Sequence, residues 1–220
     1  MLMTGEQYIE SLRKLKTRVY MFGEKIENCV NSNDYVICTD GGYDVALRHK
    51  LVPDLLMGDF DSIGSELPDD IETERFKPEK DFTDLELAIM KAVDLAATEV
   101  CIIGGIGGRL DHTVANIQML SHYSECFDSL YMMDSRNRCF IINGGEDVTV
   151  SVPYVKDSYI SLFSLSETCE GVSARNVKYT LDRYTMSRQI PLGVSNEFAD
   201  EKNAVISVEC GTLLVVVSGK

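Results

Sequence analysis

The chain has 220 residues, a formal net charge of −14 and no tryptophan, with 45% of its residues hydrophobic. That length fits one large domain or two small ones and supplies enough apolar side chains for a real core. The acidic balance, with no cluster of Lys or Arg, argues against a nucleic-acid backbone as ligand, because such binding needs a basic face that releases counterions; a nucleotide remains open if a metal carries it.

In chain order, Tyr8, Ile9, Leu12 and Leu15 repeat at helical spacing and predict an amphipathic helix, followed by a short strand over Val19 to Phe22. Tyr35-Val36-Ile37-Cys38-Thr39 reads as a buried strand, ends in Asp40-Gly41-Gly42 and runs into a helical Tyr43 to Lys50. This is the strand, glycine turn, helix order of a βαβ unit, and glycine there lets backbone N–H groups approach a phosphate. An ordinary tight turn is the plain alternative.

Leu55-Leu56-Met57 is a short apolar strand that breaks at Gly58, and Asp59-Phe60-Asp61-Ser62 follows. Along an extended chain, residues two apart point to one side, so Asp59 and Asp61 can face a single Mg²⁺, a hard ion that takes oxygen ligands. A solvated acidic turn would use the same residues. The next helix is predicted from about Thr83 to Ala97, with Leu85, Ala88, Ile89, Ala92, Val93 and Ala96 on one face. Thr83 and Glu86 form a capping box, which leaves Asp81 and Asp84 flanking a helix N-terminus whose dipole favours carboxylates in any case. In a parallel sheet the loops after successive strands gather at one edge, so the Asp40, Asp59 and Asp84 loops are expected to converge.

Val100-Cys101-Ile102-Ile103 leads into Gly104-Gly105-Ile106-Gly107-Gly108-Arg109-Leu110-Asp111-His112, a four-glycine loop suited to cradling phosphate. It lacks the Gly-Lys-Ser/Thr of the Walker pattern, and its spacing misses the dinucleotide fingerprint. Arg109 offers a permanently charged fork to phosphate oxygens, or an ion pair with Asp111 that locks the loop. Asp111 is expected to cap the following helix, which carries Thr113, Val114, Asn116, Ile117 and Leu120. His112 fits a capping or surface place, and without a His/Cys cluster zinc is not expected.

After about Gly144 the helical pattern disappears, and 148–152, 159–163, 204–208 and 213–217 read as β-branched, aromatic strands bounded by turns. No run reaches the ~18 apolar residues of a membrane span, and no opening stretch has the form of a signal peptide. Cys29, Cys38, Cys101, Cys126, Cys139, Cys169 and Cys210 form an odd set without a C-x-x-C pair, so most are expected to be reduced core thiols of a cytoplasmic protein.

Five motifs together, Asp40-Gly41-Gly42, Gly58-Asp59-Phe60-Asp61-Ser62, Lys80-Asp81-Phe82-Thr83-Asp84, Gly107-Gly108-Arg109-Leu110-Asp111-His112 and Gly193-Val194-Ser195-Asn196-Glu197-Phe198, resemble the thiamine pyrophosphokinase family in content and order. The resemblance covers about Asp34 to the C-terminus. It implies an α/β fold: an N-terminal three-layer α/β/α catalytic domain with a mostly parallel sheet over 1–143, atypical in its first 33 residues, and a smaller all-β sandwich that binds thiamine over 144–220. It further implies transfer of the pyrophosphoryl group of ATP to thiamine with Mg²⁺, in a homodimer whose active sites lie between subunits. By motif, Asp59, Asp61 and Asp84 would hold Mg²⁺, and Asp40, Gly41, Gly42, Thr83, Arg109, Asp111, His112 and Asn116 would surround ATP. Lys80 and Asp81 would sit where substrate and nucleotide meet, and Ser195 and Asn196 would meet the thiamine pyrimidine.

The chain departs from that family at its start, where a buried strand and small-residue turn would stand. Residues 4–28 instead resemble the opening of 4-hydroxybutyryl-CoA dehydratase, a likeness expected to end at Asn28. Two rival functions fit the carboxylates: a Mg²⁺-dependent phosphohydrolase with a nucleophilic D-x-D, although Ser62-Ile63 replaces the usual Gly-Thr/Val, and a silent thiamine or nucleotide sensor.

Overall fold

The computed structural model describes residues 16–20, 34–60, 64–77 and 81–220. By contact the chain divides into two units: the described parts of Met1–Met119 with Glu125–Ser135, and Leu120–Ser124 with Arg136–Lys220.

The first unit is built on parallel strands: β1 (Lys16–Tyr20), β2 (Tyr35–Thr39), β3 (Leu55–Gly58), β4 (Glu72–Arg75), β5 (Glu99–Ile103) and β6 (Ser129–Met133). Every pairing among them is parallel, in the order β6-β5-β1-β2-β3-β4. The strand expected over Val19 to Phe22 is therefore β1, shifted toward the N-terminus, and it lies between β2 and β5 in the middle of the sheet. The helix expected before it lies outside the described residues. β2, β3 and β5 are buried on both faces, consistent with their unbroken apolar runs.

Three helices are described: α1 (Gly42–Arg48), α2 (Asp84–Asp94) and α3 (Leu110–Tyr123). α1 lies against β1 and β2, and α2 against β1, β2 and β3. α2 begins where its capping box predicts, with Thr83 Oγ1 accepting from the Glu86 N–H at 3.1 Å. It ends at Asp94, short of the expected Ala97: Ala96 turns left-handed at φ 51°, and the Ala97 N–H reaches back to the Ala92 carbonyl. Leu85, Ala88, Ile89 and Ala92 are buried as the spacing requires, but Val93, 40% exposed, and Ala96, beyond the helix end and exposed, do not join that face.

The second unit contains β7 (Asn137–Asn143), β8 (Thr149–Val152), β9 (Ser158–Ser164), β10 (Thr168–Arg175), β11 (Leu181–Ser187), β12 (Gly193–Glu197), β13 (Ala204–Ser207) and β14 (Thr212–Gly219). They pair antiparallel in the orders β12-β9-β14-β7 and β11-β10-β13-β8. One apolar cluster draws on both sets, with Ile142, Ile160, Leu162, Leu213 and Val215 from the first and Val152, Val172, Met186 and Ile206 from the second. Cys38, Cys101, Cys139 and Cys169 are buried thiols, as expected for core cysteines, whereas Cys126 and Cys210 are exposed. No helix among the described residues is long and apolar enough to cross a membrane.

Candidate active site

Parallel register sets the site. β2, β3 and β5 run the same way, with Thr39 opposite Met57 and Tyr20 of β1 opposite both Cys38 and Ile103, so Asp40, Asp59 and the glycine loop all leave one edge of the sheet. This is the edge at which open α/β sheets bind ligands.

Asp40 turns the corner from β2 into α1 at φ 38°, donating its N–H to the Met57 carbonyl and accepting on Oδ1 from the Phe60 N–H at 3.2 Å. Gly58 sits directly beneath it at φ 149°, and a Cβ there would overlap Asp40 Oδ1. The glycine is thus what lets one carboxylate lie against the strand that carries the next. Phe60 itself has φ 64°, a strained conformation for a bulky side chain, and its ring lies under the Arg75 guanidinium at 5.0 Å. The Asp40 bond and the Arg75 contact hold it there.

Asp84 opens α2 and approaches the same point. Burial, a side-chain hydrogen bond with Asp84 and the charges of Asp84 and Asp59 push the Asp40 carboxyl up to about 7, against a lowering effect from the Phe60 N–H. The Asp40 carboxyl therefore resists ionising beside these neighbours unless a cation offsets the charge. The donors are all hard oxygens, which fits Mg²⁺ and not a thiolate-seeking metal. Among the described residues no group of three His, Cys, Asp or Glu side chains forms a complete metal-holding set; Asp61, expected between Asp59 and Ser62, lies outside them, as does Lys80. Asp81 is exposed just before the α2 cap.

The glycine loop follows β5. A Cβ at Gly107 or Gly108 would meet nothing within 4 Å, so this backbone faces open space, as a phosphate cradle requires. Its shape is held from α3. Asn116, expected to touch ATP, is 4% exposed and donates from Nδ2 to the Gly105 carbonyl at 2.8 Å, and Thr113 Oγ1 accepts from the Gly107 N–H at 3.2 Å. Arg109 and Asp111 form a two-bonded ion pair, Nε to Oδ1 at 3.1 Å and Nη2 to Oδ2 at 2.5 Å, and the Arg109 hydrogen bonds hold Asp111 down to about 2. Asp111 is the second residue of α3 and not its N-cap, because the helix already begins at Leu110; its oxygens accept from Arg109 and the His112 N–H. Both members of the pair are exposed, so an arriving phosphate can compete for Arg109. His112 is also exposed.

In the second unit, Ser195 is exposed at φ 59° and donates its N–H to Ser161 Oγ at 2.9 Å. Asn196 is occupied by Tyr179, accepting from its N–H at 2.9 Å and donating to its carbonyl at 2.7 Å, which ties β12 to the turn before β11. Thr113, Arg75 and Asp44 contribute to the geometry of the first unit's edge, and sequence reading assigned none of them a place there. Of these, Asp44 left a trace, one helical turn beyond Asp40.

Two family models match in order: the thiamin pyrophosphokinase catalytic domain over residues 26–131 and the thiamin pyrophosphokinase vitamin B1 binding domain over 147–213. The chain belongs to the thiamine pyrophosphokinase family. It is a family of enzymes, and the relatives agree. The chain is 27% identical over 189 residues to thiamin pyrophosphokinase 1 of Caenorhabditis elegans, covering 79% of this chain and 75% of that protein. It is 29% identical over 191 residues to thiamine pyrophosphokinase of Bacillus subtilis, covering 83% and 86%. The crystal structure of thiamin pyrophosphokinase from Geobacillus thermodenitrificans superposes with a TM-score of 0.81 at 26% identity, over 94% of this chain and 98% of that one. That of the Bacillus subtilis enzyme, at 22% identity, shares the fold with the same TM-score over 93% and 99%.

β1 precedes the catalytic match. The chain is also 59% identical over 54 residues to 4-hydroxybutyryl-CoA dehydratase/vinylacetyl-CoA-Delta-isomerase of Clostridium aminobutyricum, covering 24% of this chain and 10% of that protein. A match of that length runs past Asn28 wherever it begins, so the likeness does not end there as expected.

Proposed function

We propose that this chain transfers the pyrophosphoryl group of ATP to the hydroxyl of thiamine, releasing AMP and thiamine diphosphate. The hydroxyl oxygen forms a bond to the β-phosphorus as the bond from that phosphorus to the α-phosphate bridging oxygen breaks. What supports the reading most is the gathering of Asp40, Asp59 and Asp84 at the edge that also carries the open glycine loop. Asp59, Asp61 and Asp84 would hold Mg²⁺, which when bound would offset the charge of the triphosphate and of the carboxylates alike. Asp40, Gly41, Gly42, Thr83, Arg109, Asp111, His112 and Asn116 shape the ATP site, the last through Gly105. Asp81 and Lys80 are assigned to the meeting of the two substrates, and Ser195 and Asn196 to the thiamine pyrimidine.

The chain's own contribution is positioning and electrostatics, as expected for phosphoryl transfer. Arg109 binds and orients phosphate oxygens, and the acidic surroundings favour the thiazolium cation of thiamine. In this reading the first unit is a three-layer α/β/α catalytic domain, the second a sandwich that binds thiamine, and the working form is a cytoplasmic homodimer with active sites between subunits.

The test is to incubate the protein with ATP, Mg²⁺ and thiamine and follow both products. AMP and thiamine diphosphate are expected in equal amounts, and Asp61→Ala is expected to abolish turnover while the fold survives. Phosphate without AMP would replace the reading with a phosphohydrolase, and tight thiamine binding without turnover would replace it with a sensor.

A further inference from the structure

The pairing of β12 with β9 slips by one residue. Gly193 stands opposite Leu162 and Asn196 opposite Ile160, so Val194 and Ser195 together face the single residue Ser161. Two residues against one make a β-bulge, which re-aims a side chain and interrupts the ladder of backbone hydrogen bonds. Here the Ser195 N–H is taken by the Ser161 side chain, whose Oγ accepts at 2.9 Å. Ser161 is only 8% exposed, and on its other side it stands opposite Val216 of β14. A hydroxyl so placed is costly to bury unless it is bonded, and this bond offsets that cost.

The bulge decides where Ser195 goes. In a regular strand Ser195 would share the face of Gly193, whose partner Leu162 belongs to the apolar cluster. The extra residue leaves it exposed instead, at φ 59°, a left-handed conformation uncommon for a residue with a side chain. Both ends of the bulge are fixed: a Cβ at Gly193 would lie 2.6 Å from the Leu162 carbonyl oxygen, and Asn196 is tied to the Tyr179 backbone by two hydrogen bonds. Between those fixed points the Ser161 bond holds the backbone of Ser195.

We propose that Ser161 is a positioning residue, whose hydroxyl holds the β12 bulge in the shape that presents Ser195 to the pyrimidine of thiamine. The proposal rests on the reading of Ser195 as a border of that ring.

The experiment compares the full chain with Ser161→Ala and Ser161→Thr. Threonine keeps the accepting oxygen and suits a strand, so it is expected to behave as the parent. The first readout needs no substrate: amide exchange at Ser195 is expected to quicken about two- to tenfold in Ser161→Ala, with the amides that pair β9 to β14 unchanged. The second is steady-state AMP formation, in which the KM for thiamine is expected to rise by a similar factor while kcat and the KM for ATP stay as in the parent. Ser161→Cys, whose sulfur accepts only weakly, is expected to fall between alanine and threonine, and it decides the matter should Ser161→Ala fail to fold. Unchanged exchange at Ser195 overturns the anchor. Faster exchange with an unchanged KM for thiamine leaves the anchor standing and overturns the reading of Ser195 as a substrate contact. An equal rise in the KM for ATP shows general loosening and overturns the proposal, as does damage in Ser161→Thr equal to that in Ser161→Ala.

Discussion

Gly58→Ala is the change that most directly tests how the acidic site is assembled. The residue has φ 149°, which a side chain rarely adopts, and its new Cβ would overlap Asp40 Oδ1 while approaching the Asp40 backbone nitrogen to 3.3 Å. Backbone strain of this kind costs about 1–3 kcal/mol. The cheapest relief is rotation of the Asp40 side chain, because its carboxylate is the far end of a flexible group. That rotation breaks the bond from the Phe60 N–H, a loss of about 1.5–3 kcal/mol for a charged acceptor. The sum, about 2.5–6 kcal/mol, is large against a typical total of about 5–15 kcal/mol. Thermal unfolding should shift down by roughly 5–24 °C. Activity should fall by roughly 10–100-fold, because relief of the clash moves a carboxylate out of the cluster. In an Asp40→Ala background the same substitution should cost only the backbone strain, which a double-mutant cycle reads directly. A Gly58→Ala protein that loses less than about 1 kcal/mol and keeps its turnover would refute the idea that close approach of Asp40 to β3 builds the site.

Deleting residues through Tyr20 removes β1 from between β2 and β5 and leaves two unpaired strand edges in the sheet. The truncated chain is expected to aggregate or lose cooperative unfolding, and a monodisperse, active product on size-exclusion chromatography would show the strand to be dispensable. Burial pushes the Cys38 thiol up to about 12, so in the native protein a thiol reagent at mild alkaline pH should modify the exposed Cys126 and Cys210 and leave Cys38 untouched until denaturant is added. Glu197 bonds Lys178 at 2.7 Å and Lys220 at 2.6 Å, and these ammonium groups hold its carboxyl down to about 2, from an ordinary 4.5. A depressed carboxyl stabilises the fold above its unfolded pKa and ceases to do so as pH falls through its folded one. The difference in melting temperature between the parent and Glu197→Gln should therefore shrink between pH 4.5 and 2, and it should be small and salt-sensitive throughout because the groups are solvated.

Local chemistry was legible in the chain where a residue's neighbours in sequence decide its conformation. Thr83 and Glu86 declared the start of α2, the unbroken apolar runs declared β2, β3 and β5, and β-branched stretches declared β8, β9, β13 and β14. The end of α2 was not legible, because alanine carries no stop signal and only the packed turn at Ala96 and Ala97 makes the helix close there. β4 is short and mostly exposed, with a polar sequence, and it exists because β3 offers it an edge. Asp111 looked like a cap by spacing, but α3 opens one residue earlier, at Leu110, and Asp111 pairs with Arg109 instead.

Sequence by itself determined which residue types could do the chemistry: aspartates beside strand-ending glycines, a glycine loop with an arginine, and motifs in the order of one enzyme family. Spacing along a chain fixes only what lies within a turn or a strand. Tertiary structure decided that Asp40, Asp59 and Asp84 press on one another, that Asn116 serves the loop from inside and that Asp44 holds Gly64, because each of these pairings joins residues brought together by parallel register and packing.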